Sequence, residues 1–483
     1  MDEGQKVLIV VLIFFFLALG VRLALMDLRP LHHDEGVNGY FISNIVEGRG
    51  WNYDAENYHG PSFFYITALS FLLFGQNALA LRIVPVLFGC LLVLVPFLFR
   101  KQLGLAGAAV SAFFLAFSPS LLYYSMDAIH EILFTFFMAA SLVLFLEFAE
   151  EKKTWMLFSG SACLAMLFAT KEAAFFIGPF IALIAVSFAF AKGIPLREAI
   201  AKSWLKLLAA AAIFLIIYVS LFSSFFQNWE GLHDSVKTVT LWGERVVTEK
   251  GHDKPFQYYG ELLLFCEIPL LAGGIAGTLL AFWKKNRRFG AIGIFFIVLF
   301  FGVSAVPYKT PWIVINFLPP LALLSGYFAK EVFDAAEGKQ KIILAVALAA
   351  VFACVLCSAY YVNALTPAAE RSEDNRLVYV QTTMKAGEVL DRALAGEGKM
   401  LVAMGNESTW PMPWLLRNKK VEYYGEDGLE SAEFLRGFEV LFVQRGFGEK
   451  VSERIPEYEK IEFDLRPGVQ LTAFFAKNSI FQP

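Results

Sequence analysis

The sequence predicts a polytopic α-helical membrane protein with about eleven transmembrane helices and a C-terminal extracytoplasmic α/β domain. The 483 residues are 57% apolar and only 18% charged, with a mean hydropathy of +0.56, whereas soluble domains have roughly 45–50% apolar and about 25% charged residues. The apolar residues form runs of membrane-spanning length, and these runs stop after residue 362. The composition excludes an ordinary cytosolic enzyme, a disordered chain and a disulfide scaffold. The net charge of −3 gives no reason to expect a nucleic acid as partner.

A bilayer core about 30 Å thick requires roughly 20 apolar residues for each helical span. The runs of this kind are 7–26, 78–99, 105–122, 128–149, 154–170, 173–190, 207–225, 260–282, 289–306, 312–329 and 342–362. The first run is too long for the core of a signal peptide, which is typical of an uncleaved anchor. The shorter run Ser62–Phe74 is typical of a helix in or near the membrane interface. All five cysteines lie in apolar runs, so no disulfide is expected.

Basic residues mark alternate connections between the runs, beginning with Arg100 and Lys101 and then Lys152 and Lys153. By the positive-inside rule these connections are cytoplasmic. We therefore expect an integral membrane protein whose N-terminus is cytoplasmic and whose chain after residue 362 is outside. All six histidines then fall on the external side, which predicts that the chemistry is external as well.

The composition changes at residue 363, and we expect two domains, 1–362 in the membrane and 363–483 outside it. In the second domain the apolar runs shorten to strand length, at 400–404, 440–443 and 469–475. An amphipathic pattern predicts a helix over 380–395. Strands alternating with helices indicate a small α/β domain. It contains no nucleotide-binding fingerprint, which favours a lid or docking domain over an independent catalytic unit.

The first external loop, residues 27–61, is the richest in functional residue types. Asp34 and Glu35 are adjacent carboxylates just outside a membrane helix, and His33 and His59 add imidazoles. Such a set supplies a general base or a cation site. The alternative is a solvated loop, against which the aromatic residues Tyr40, Trp51, Tyr53 and Tyr58 of this segment argue.

A second acidic group lies where the fourth span begins. Asp127, His130 and Glu131 have the i, i+3, i+4 spacing of one helix face. Asp127 is explained equally well as a helix cap, whereas ionisable groups within a span are costly and indicate function. Lys171 and Glu172 begin the sixth span in the same manner.

The third candidate site is the hairpin Pro307-Tyr-Lys-Thr-Pro-Trp312. Two prolines fix a rigid turn, and the turn presents Lys309 with Tyr308 and Trp312. The aromatic pair alone is typical of interfacial anchors, but a single lysine between prolines indicates an anionic ligand. Arg82 and Glu267 are the other notable charges, and Glu267 marks either a kinked helix or an ion path.

Together these residues predict one external cavity with carboxylates and scattered cations. That combination suits the transfer of a group away from a phosphate at the membrane surface, because a departing phosphate needs charge stabilisation and an acceptor hydroxyl needs a base. We assign Arg82, Lys171 and Lys309 to the phosphate and His33, His59, Glu172, Tyr308 and Trp312 to the substrate cavity.

Five segments in this order resemble a known family. The Asp34-Glu35 pair, the long first loop and the many spans are similar to the GT-C glycosyltransferases, in which family 39 includes protein O-mannosyltransferases and the aminoarabinose transferase. The branch of flippase-activity-associated membrane proteins is the most similar. The segments are His33-Asp-Glu-Gly-Val-Asn38, Tyr58-His-Gly-Pro61, Arg82-Ile-Val-Pro85, Pro307-Tyr-Lys-Thr-Pro-Trp312 and Trp410-Pro-Met-Pro-Trp414.

The resemblance implies a membrane glycosyltransferase of the cell envelope that uses a polyprenyl-phosphate-linked sugar in an inverting single displacement. Asp34 matches the catalytic aspartate of the family and Glu35 its partner. The second acidic position falls on Asp127 or Glu131. The acceptor is a protein, a glycan or a lipid, and protein glycosylation is one such activity. Metal use varies within the superfamily, so a divalent ion is possible, although no tight ligand spacing requires one.

Two other functions compete with this one. A flippase for lipid-linked sugars, or a transporter accessory without catalysis, would place its site near the middle of the bilayer. Most ionisable residues of this chain lie at the outer ends of the spans, which favours the transferase. A scaffold that recruits partners through residues 363–483 is the third possibility.

Overall fold

The computed structural model describes residues 2–57, 59–191, 196–248, 252–368, 374–405, 408–425, 429 and 431–477. The chain divides into two compact units. The first, here called the membrane unit, comprises Met1–Met26 and Ile45–Leu365, and the second, called the sheet unit, comprises Asp27–Asn44 and Thr366–Pro483. The division differs from the predicted boundary at residue 362 in one respect, because residues 27–44 pack with the C-terminal part of the chain.

Helices make up most of the described chain. They are α1 (Glu3–Leu25), α2 (His33–Val46), α3 (Ser62–Phe74), α4 (Ala78–Leu94), α5 (Arg100–Phe117), α6 (Pro119–Tyr124), α7 (Glu131–Glu151), α8 (Thr154–Phe168), α9 (Ala174–Ala191), α10 (Leu196–Phe222), α11 (Glu230–Thr248), α12 (Tyr258–Cys266), α13 (Ile268–Trp283), α14 (Arg287–Ala305), α15 (Leu318–Ala335), α16 (Lys339–Tyr360), α17 (Met384–Ala395), α18 (Met412–Leu415), α19 (Ala432–Leu435) and α20 (Gly448–Arg454).

Eight helices in the described part of the chain are long and apolar enough to cross a membrane, or nine if the bent pair α12 and α13 is one span. Every predicted run lies on helical structure. The count is lower than eleven because runs 78–99 and 105–122 form one stretch, Ala78–Phe117, and because α8 has only 15 residues. Within that stretch the backbone leaves the helical region at Gly104, whose φ is 64°.

Close contacts between small residues hold the centre of the membrane unit together. A methyl group at Gly277 of α13 would lie 2.1 Å from the main-chain oxygen of Leu324 in α15. A methyl group at Gly326 of α15 would lie 2.3 Å from the oxygen of Gly107 in α5. Helices that approach this closely exclude larger side chains, as is typical of packing between membrane helices.

The sheet unit contains a five-stranded mixed sheet. Its strands are β1 (Met400–Ala403), β2 (Val421–Tyr424), β3 (Val440–Gln444), β4 (Glu459–Arg466) and β5 (Val469–Phe475). They lie in the order β2-β1-β3-β5-β4, with β1 parallel to β2 and β3, and β5 antiparallel to β3 and β4.

Both faces of this sheet are covered. Alternate residues of β1 point to opposite faces, so Met400 and Val402 pack with Leu390 of α17, while Leu401 packs with Val451 of α20. The predicted strands at 400–404, 440–443 and 469–475 and the helix within 380–395 are confirmed as β1, β3, β5 and α17. The predicted C-terminal sheet domain is therefore present.

Candidate active site

Helix α2 was not predicted, and its first turn holds the adjacent acids in two different environments. The Glu35 side chain is fully buried, and its Oε2 accepts the main-chain N–H of His32 at 2.8 Å. The Asp34 side chain is 37% exposed, and its Oδ1 lies 2.8 Å from Nδ1 of His33. Of the two carboxylates, that of Asp34 is therefore accessible to solvent, whereas that of Glu35 is buried at the start of the helix.

The neighbouring His32 ties this turn to the C-terminal part of the sheet unit. Its Nδ1 accepts the N–H of Asp34 at 3.0 Å, which leaves Nε2 to donate to the main-chain oxygen of Tyr379 at 2.6 Å. Thr382 donates from Oγ1 to the oxygen of Leu31 at 2.6 Å. The conformation of the acidic turn thus depends on contacts with residues roughly 350 positions later in the chain.

Two of the family-like segments, 33–38 and 410–414, lie against each other. A methyl group at Gly36 would lie 2.5 Å from Cβ of Pro411, and one at Gly39 would lie 2.6 Å from the indole of Trp414. Only glycine permits these approaches. The Trp414 Nε1–H donates to Oγ of Ser43 at 3.2 Å. The sequence showed both segments as motifs but gave no sign that they touch.

A buried ionic cluster lies at the start of α7 in the membrane unit. Lys171 donates its ammonium to Glu131, and the two side chains are 7% and 3% exposed. His59 Nδ1 donates to Oε2 of Glu172 at 3.1 Å. The His130 ring lies 4.7 Å from the His59 ring, measured between centroids. The predicted residues His59, His130, Glu131, Lys171 and Glu172 are therefore close together.

Main-chain pairing brings these residues to one place. His59 and Lys171 form an antiparallel bridge, and Gly60 donates its N–H to the oxygen of Thr170 at 3.1 Å. A methyl group at Gly60 would lie 2.2 Å from the main-chain oxygen of Ala169. The approach of these two segments therefore requires glycine at position 60. Tyr58, the first residue of this motif, lies outside the described residues.

Burial governs the electrostatics of the cluster. The His130 imidazole packs against Phe63 and Phe64, and this burial, together with His59 and Lys171, holds its pKa well below the ordinary value of 6.5. Three buried polar atoms of this cluster have no hydrogen-bond partner among the described residues: Oε2 of Glu131, Nε2 of His130 and Oε1 of Glu172. Buried polar atoms without a partner are costly, which makes this cluster a candidate binding site.

Lys309 is buried beside the antiparallel bridge between Asp253 and Tyr308. Its main-chain N–H donates to the main-chain oxygen of His252 at 3.0 Å. Its ammonium donates to the main-chain oxygens of Lys254, at 3.0 Å, and of Val306. Burial lowers the pKa of Lys309, and the nearby Asp253 acts in the opposite direction. Two of the three ammonium donors are thus engaged within the hairpin.

Tyr308 and Trp312 are the other members of this predicted site. The Tyr308 ring stacks on His252, with 4.5 Å between centroids, and also contacts Trp242 at 5.5 Å. Trp312 lies half-buried in the 3₁₀ helix Pro311–Phe317. The two aromatic residues are therefore in different local settings.

Arg82 and Asp127 differ from expectation in their surroundings. The buried Arg82 guanidinium donates to the main-chain oxygen of Met26 at 2.5 Å, at the C-terminal end of α1. Asp127 lies in a turn before α7, because that helix starts at Glu131 with His130 at its N-cap. The helix-face spacing and the proposed Asp127 cap are both wrong for this reason, although Asp127 is buried.

Glu267 lies at the break between α12 and α13, which are bent by 111°. Its buried Oε1 accepts from Oγ of Ser118 at 2.6 Å and from the N–H of Ser120 at 2.9 Å. Of the two sequence-based interpretations, the kinked helix is thus observed. In the described residues, no group of three or more His, Cys, Asp and Glu side chains is arranged to hold a metal ion.

Comparison with known proteins defines the class of this fold. Residues 58–222 match the family model described as dolichyl-phosphate-mannose-protein mannosyltransferase. Over 100% of both chains the structure is similar to ArnT from Cupriavidus metallidurans bound to undecaprenyl phosphate, with a TM-score of 0.67 and 15% identity. An oligosaccharyltransferase of Archaeoglobus fulgidus gives a TM-score of 0.57 and 14% identity over 96% of this chain and 74% of that one.

An uncharacterized protein of Aquifex aeolicus (strain VF5) is 23% identical over 337 residues, which cover 68% of this chain. The aligned part spans 64% of that relative. The chain is an integral membrane protein of the fold class that ArnT represents. Within that class, the predicted resemblance to the protein O-mannosyltransferase type is confirmed. The finer resemblance to the flippase-activity-associated branch stays a prediction.

Proposed function

We propose that the protein is a glycosyltransferase that moves a sugar from a polyprenyl-phosphate-linked donor to an acceptor on the extracytoplasmic side. The observation that carries the proposal is the similarity, along the entire chain, to a glycosyltransferase-type fold that binds undecaprenyl phosphate in ArnT. The match of residues 58–222 to a mannosyltransferase family model supports it. The acceptor is a protein, a glycan or a lipid.

In this proposal Asp34 is the general base. Its carboxylate is partly exposed and is held by His33 at one oxygen, so an acceptor hydroxyl can approach it and transfer its proton. Glu35, which is buried against the N–H of His32, positions the turn rather than touching the substrate. An inverting single displacement needs only one such base on the acceptor side.

The departing phosphate requires positive charge. Among the three cations assigned to it from the sequence, we favour Lys171, because its ammonium bonds a side chain of the buried cluster, Glu131, and its main chain pairs with His59. Arg82 and Lys309 bond main-chain oxygens, which is the arrangement of residues that stabilise the ends of helices and turns. His59, His130 and Glu172 then contact the sugar or its acceptor. The single cavity expected from the sequence stays a prediction.

The proposed orientation has the N-terminus in the cytoplasm and residues 363–483 outside. It rests on the distribution of basic residues, and the structure agrees with an interfacial role for several tryptophans. Trp155 and Trp283 are at least half exposed at helix ends next to predicted cytoplasmic connections, and Trp229 is exposed near a predicted external one.

The direct test is donor turnover by the purified protein. Incubation with polyprenyl-phosphate sugars and candidate acceptors is expected to release polyprenyl phosphate and to form a product of inverted anomeric configuration, which NMR determines. A product with retained configuration would contradict the single displacement. An intact donor, after a range of sugars and acceptors, would contradict the transferase.

A second candidate function has one observation in its favour. The bent pair α12 and α13, with the buried Glu267 at its break, resembles the broken helices at which transporters bind substrates. A flippase for lipid-linked sugars moves its substrate without breaking the sugar–phosphate bond. Transbilayer movement of the intact donor in proteoliposomes, without sugar release, would favour this function.

A further inference from the structure

His33 lies between the proposed base and a hydroxyl of the sheet unit. Its Nδ1 is 2.8 Å from Oδ1 of Asp34, and its Nε2 is 3.2 Å from Oγ of Ser408. An imidazole that donates Nδ1–H to a carboxylate presents Nε2 as an acceptor, so the Ser408 hydroxyl donates to it. The three side chains therefore form a continuous hydrogen-bonded chain.

Arg466 holds the segment that carries Ser408 in place. Arg466, at the end of β4 and 7% exposed, donates to the main-chain oxygens of Ser408 at 2.9 Å and of Trp410 at 2.8 Å. On the other side, Gly36 approaches Pro411 so closely that no side chain fits between them. These contacts set the distance between the first turn of α2 and Ser408.

We infer that His33 and Ser408 are positioning residues that orient the Asp34 carboxylate, a role that rests on the proposed function. Asp34 is partly exposed, and an exposed carboxylate without a fixed partner samples several rotamers. The bond from His33 to Oδ1 fixes the rotamer of the Asp34 carboxylate. A misplacement of about 1 Å at a reacting group costs roughly a hundredfold in rate.

The neighbouring side chains of this turn are engaged elsewhere. His32 bonds to the oxygen of Tyr379 and the N–H of Asp34, and Glu35 bonds to the N–H of His32. His33 is thus the member of the turn that connects the Asp34 carboxylate with Ser408. The C-terminal part of the sheet unit thereby has a definite role in the reaction, since it supplies Ser408 at the end of the hydrogen-bonded chain.

Paired substitutions test the inference, because asparagine and glutamine each replace one ring nitrogen of histidine. In His33→Asn the new amide reaches the position of Nδ1 and can still donate to Asp34, whereas in His33→Gln the new amide reaches the position of Nε2. His33→Asn loses only the bond to Ser408, so we expect it to lower kcat by about tenfold, as a loss of the Ser408 hydroxyl should. His33→Gln loses the bond to Asp34, and we expect it to lower kcat by about a hundredfold with KM nearly unchanged.

A second pair tests the far end of the chain. Ser408→Ala is expected to lower kcat by about tenfold, and Ser408→Thr, which keeps the hydroxyl, is expected to restore it. Thermal unfolding of each purified variant in detergent shows whether it is folded. Equal losses of kcat in both His33 variants, or an effect on KM alone, would overturn the inference. Covalent capture of Ser408 by a fluorophosphonate would assign a nucleophile instead and would also overturn it.

These outcomes are separable from failure of the proposed function. If the wild type transfers sugar and Asp34→Asn does not, while His33→Gln behaves like the wild type, the positioning role alone is refuted. If the wild type turns over no lipid-linked sugar, the proposed function fails and the positioning role fails with it.

Discussion

Replacing Lys171 with Met leaves the Glu131 carboxylate buried without its ammonium partner. Both side chains are nearly inaccessible, at 7% and 3% exposed, and the second carboxylate oxygen already has no partner among the described residues. Removing one member of a buried ion pair costs about 3–5 kcal/mol. We expect Lys171→Met to lower the free energy of unfolding by that amount, and Glu131→Gln to have a similar effect through the unpaired lysine.

The double variant separates charge from packing. With both substitutions no charge is left unpaired, so its cost is expected to fall at least about 2 kcal/mol below the sum of the two single variants. The assay is equilibrium unfolding in mixed micelles. Lys101→Met is the control, because its pair with Glu151 has a lysine that is 57% exposed and such pairs contribute about 1 kcal/mol or less. If the double variant costs as much as the two single variants together, the predicted coupling between Lys171 and Glu131 is refuted.

Three further predictions concern stability, packing and orientation. Burial lowers the pKa of His130 from 6.5, so the stability due to its neutral form is complete above about pH 6.5 and is lost as the pH falls, by at most about 1.4 kcal/mol per pH unit. His130→Asn is expected to flatten this slope in thermal unfolding between about pH 8 and about pH 5. Gly60→Ala places a methyl group 2.2 Å from a main-chain oxygen, and we expect a loss of about 1–3 kcal/mol, measured by thermal unfolding. Glu433→Cys is expected to react with an impermeant maleimide outside intact cells, and Lys285→Cys only after permeabilisation.

Each of these has a contrary outcome. An unchanged pH slope in His130→Asn would show that other groups dominate the acid sensitivity. Gly243→Ala is the control for Gly60, because a methyl group there has no atom within 4 Å and alanine favours an exposed helix; equal destabilisation at both positions would contradict the close approach. Labelling of Lys285→Cys but not Glu433→Cys in intact cells would reverse the proposed orientation.

The parts of the fold that the sequence predicted are those with a short-range pattern. Each apolar run lies on helical structure, Ser62–Phe74 is a helix with those bounds, and the strand-length runs form β1, β3 and β5. Strand β2 was missed because it is an edge strand of only four residues, in which Tyr423 and Tyr424 are exposed. Helix α2 was missed because its polar and glycine-containing sequence has no apolar run, and packing against residues 408–414 stabilises it.

The candidate site was predictable in its residue types but not in its pairings. Glu131 and Lys171 are 40 residues apart, and His33 and Ser408 are 375 apart. Such contacts depend on how helices and the sheet pack, which no local spacing encodes. The candidate site residues were recognisable from the sequence as charged residues at helix ends. Ser408 was not recognisable, because only its position beside the Trp410–Trp414 motif distinguishes it.

The most direct measurement of the central claim is the rate of sugar transfer from a polyprenyl-phosphate donor by the wild type, Asp34→Asn and Asp27→Asn. Asp27 lies on the exposed surface of the same segment and controls for the loss of one carboxylate. Removing a general base is expected to reduce the rate by about 10²–10⁴-fold in Asp34→Asn, while Asp27→Asn transfers sugar at the wild-type rate. Transfer by Asp34→Asn at the wild-type rate would contradict the proposed mechanism.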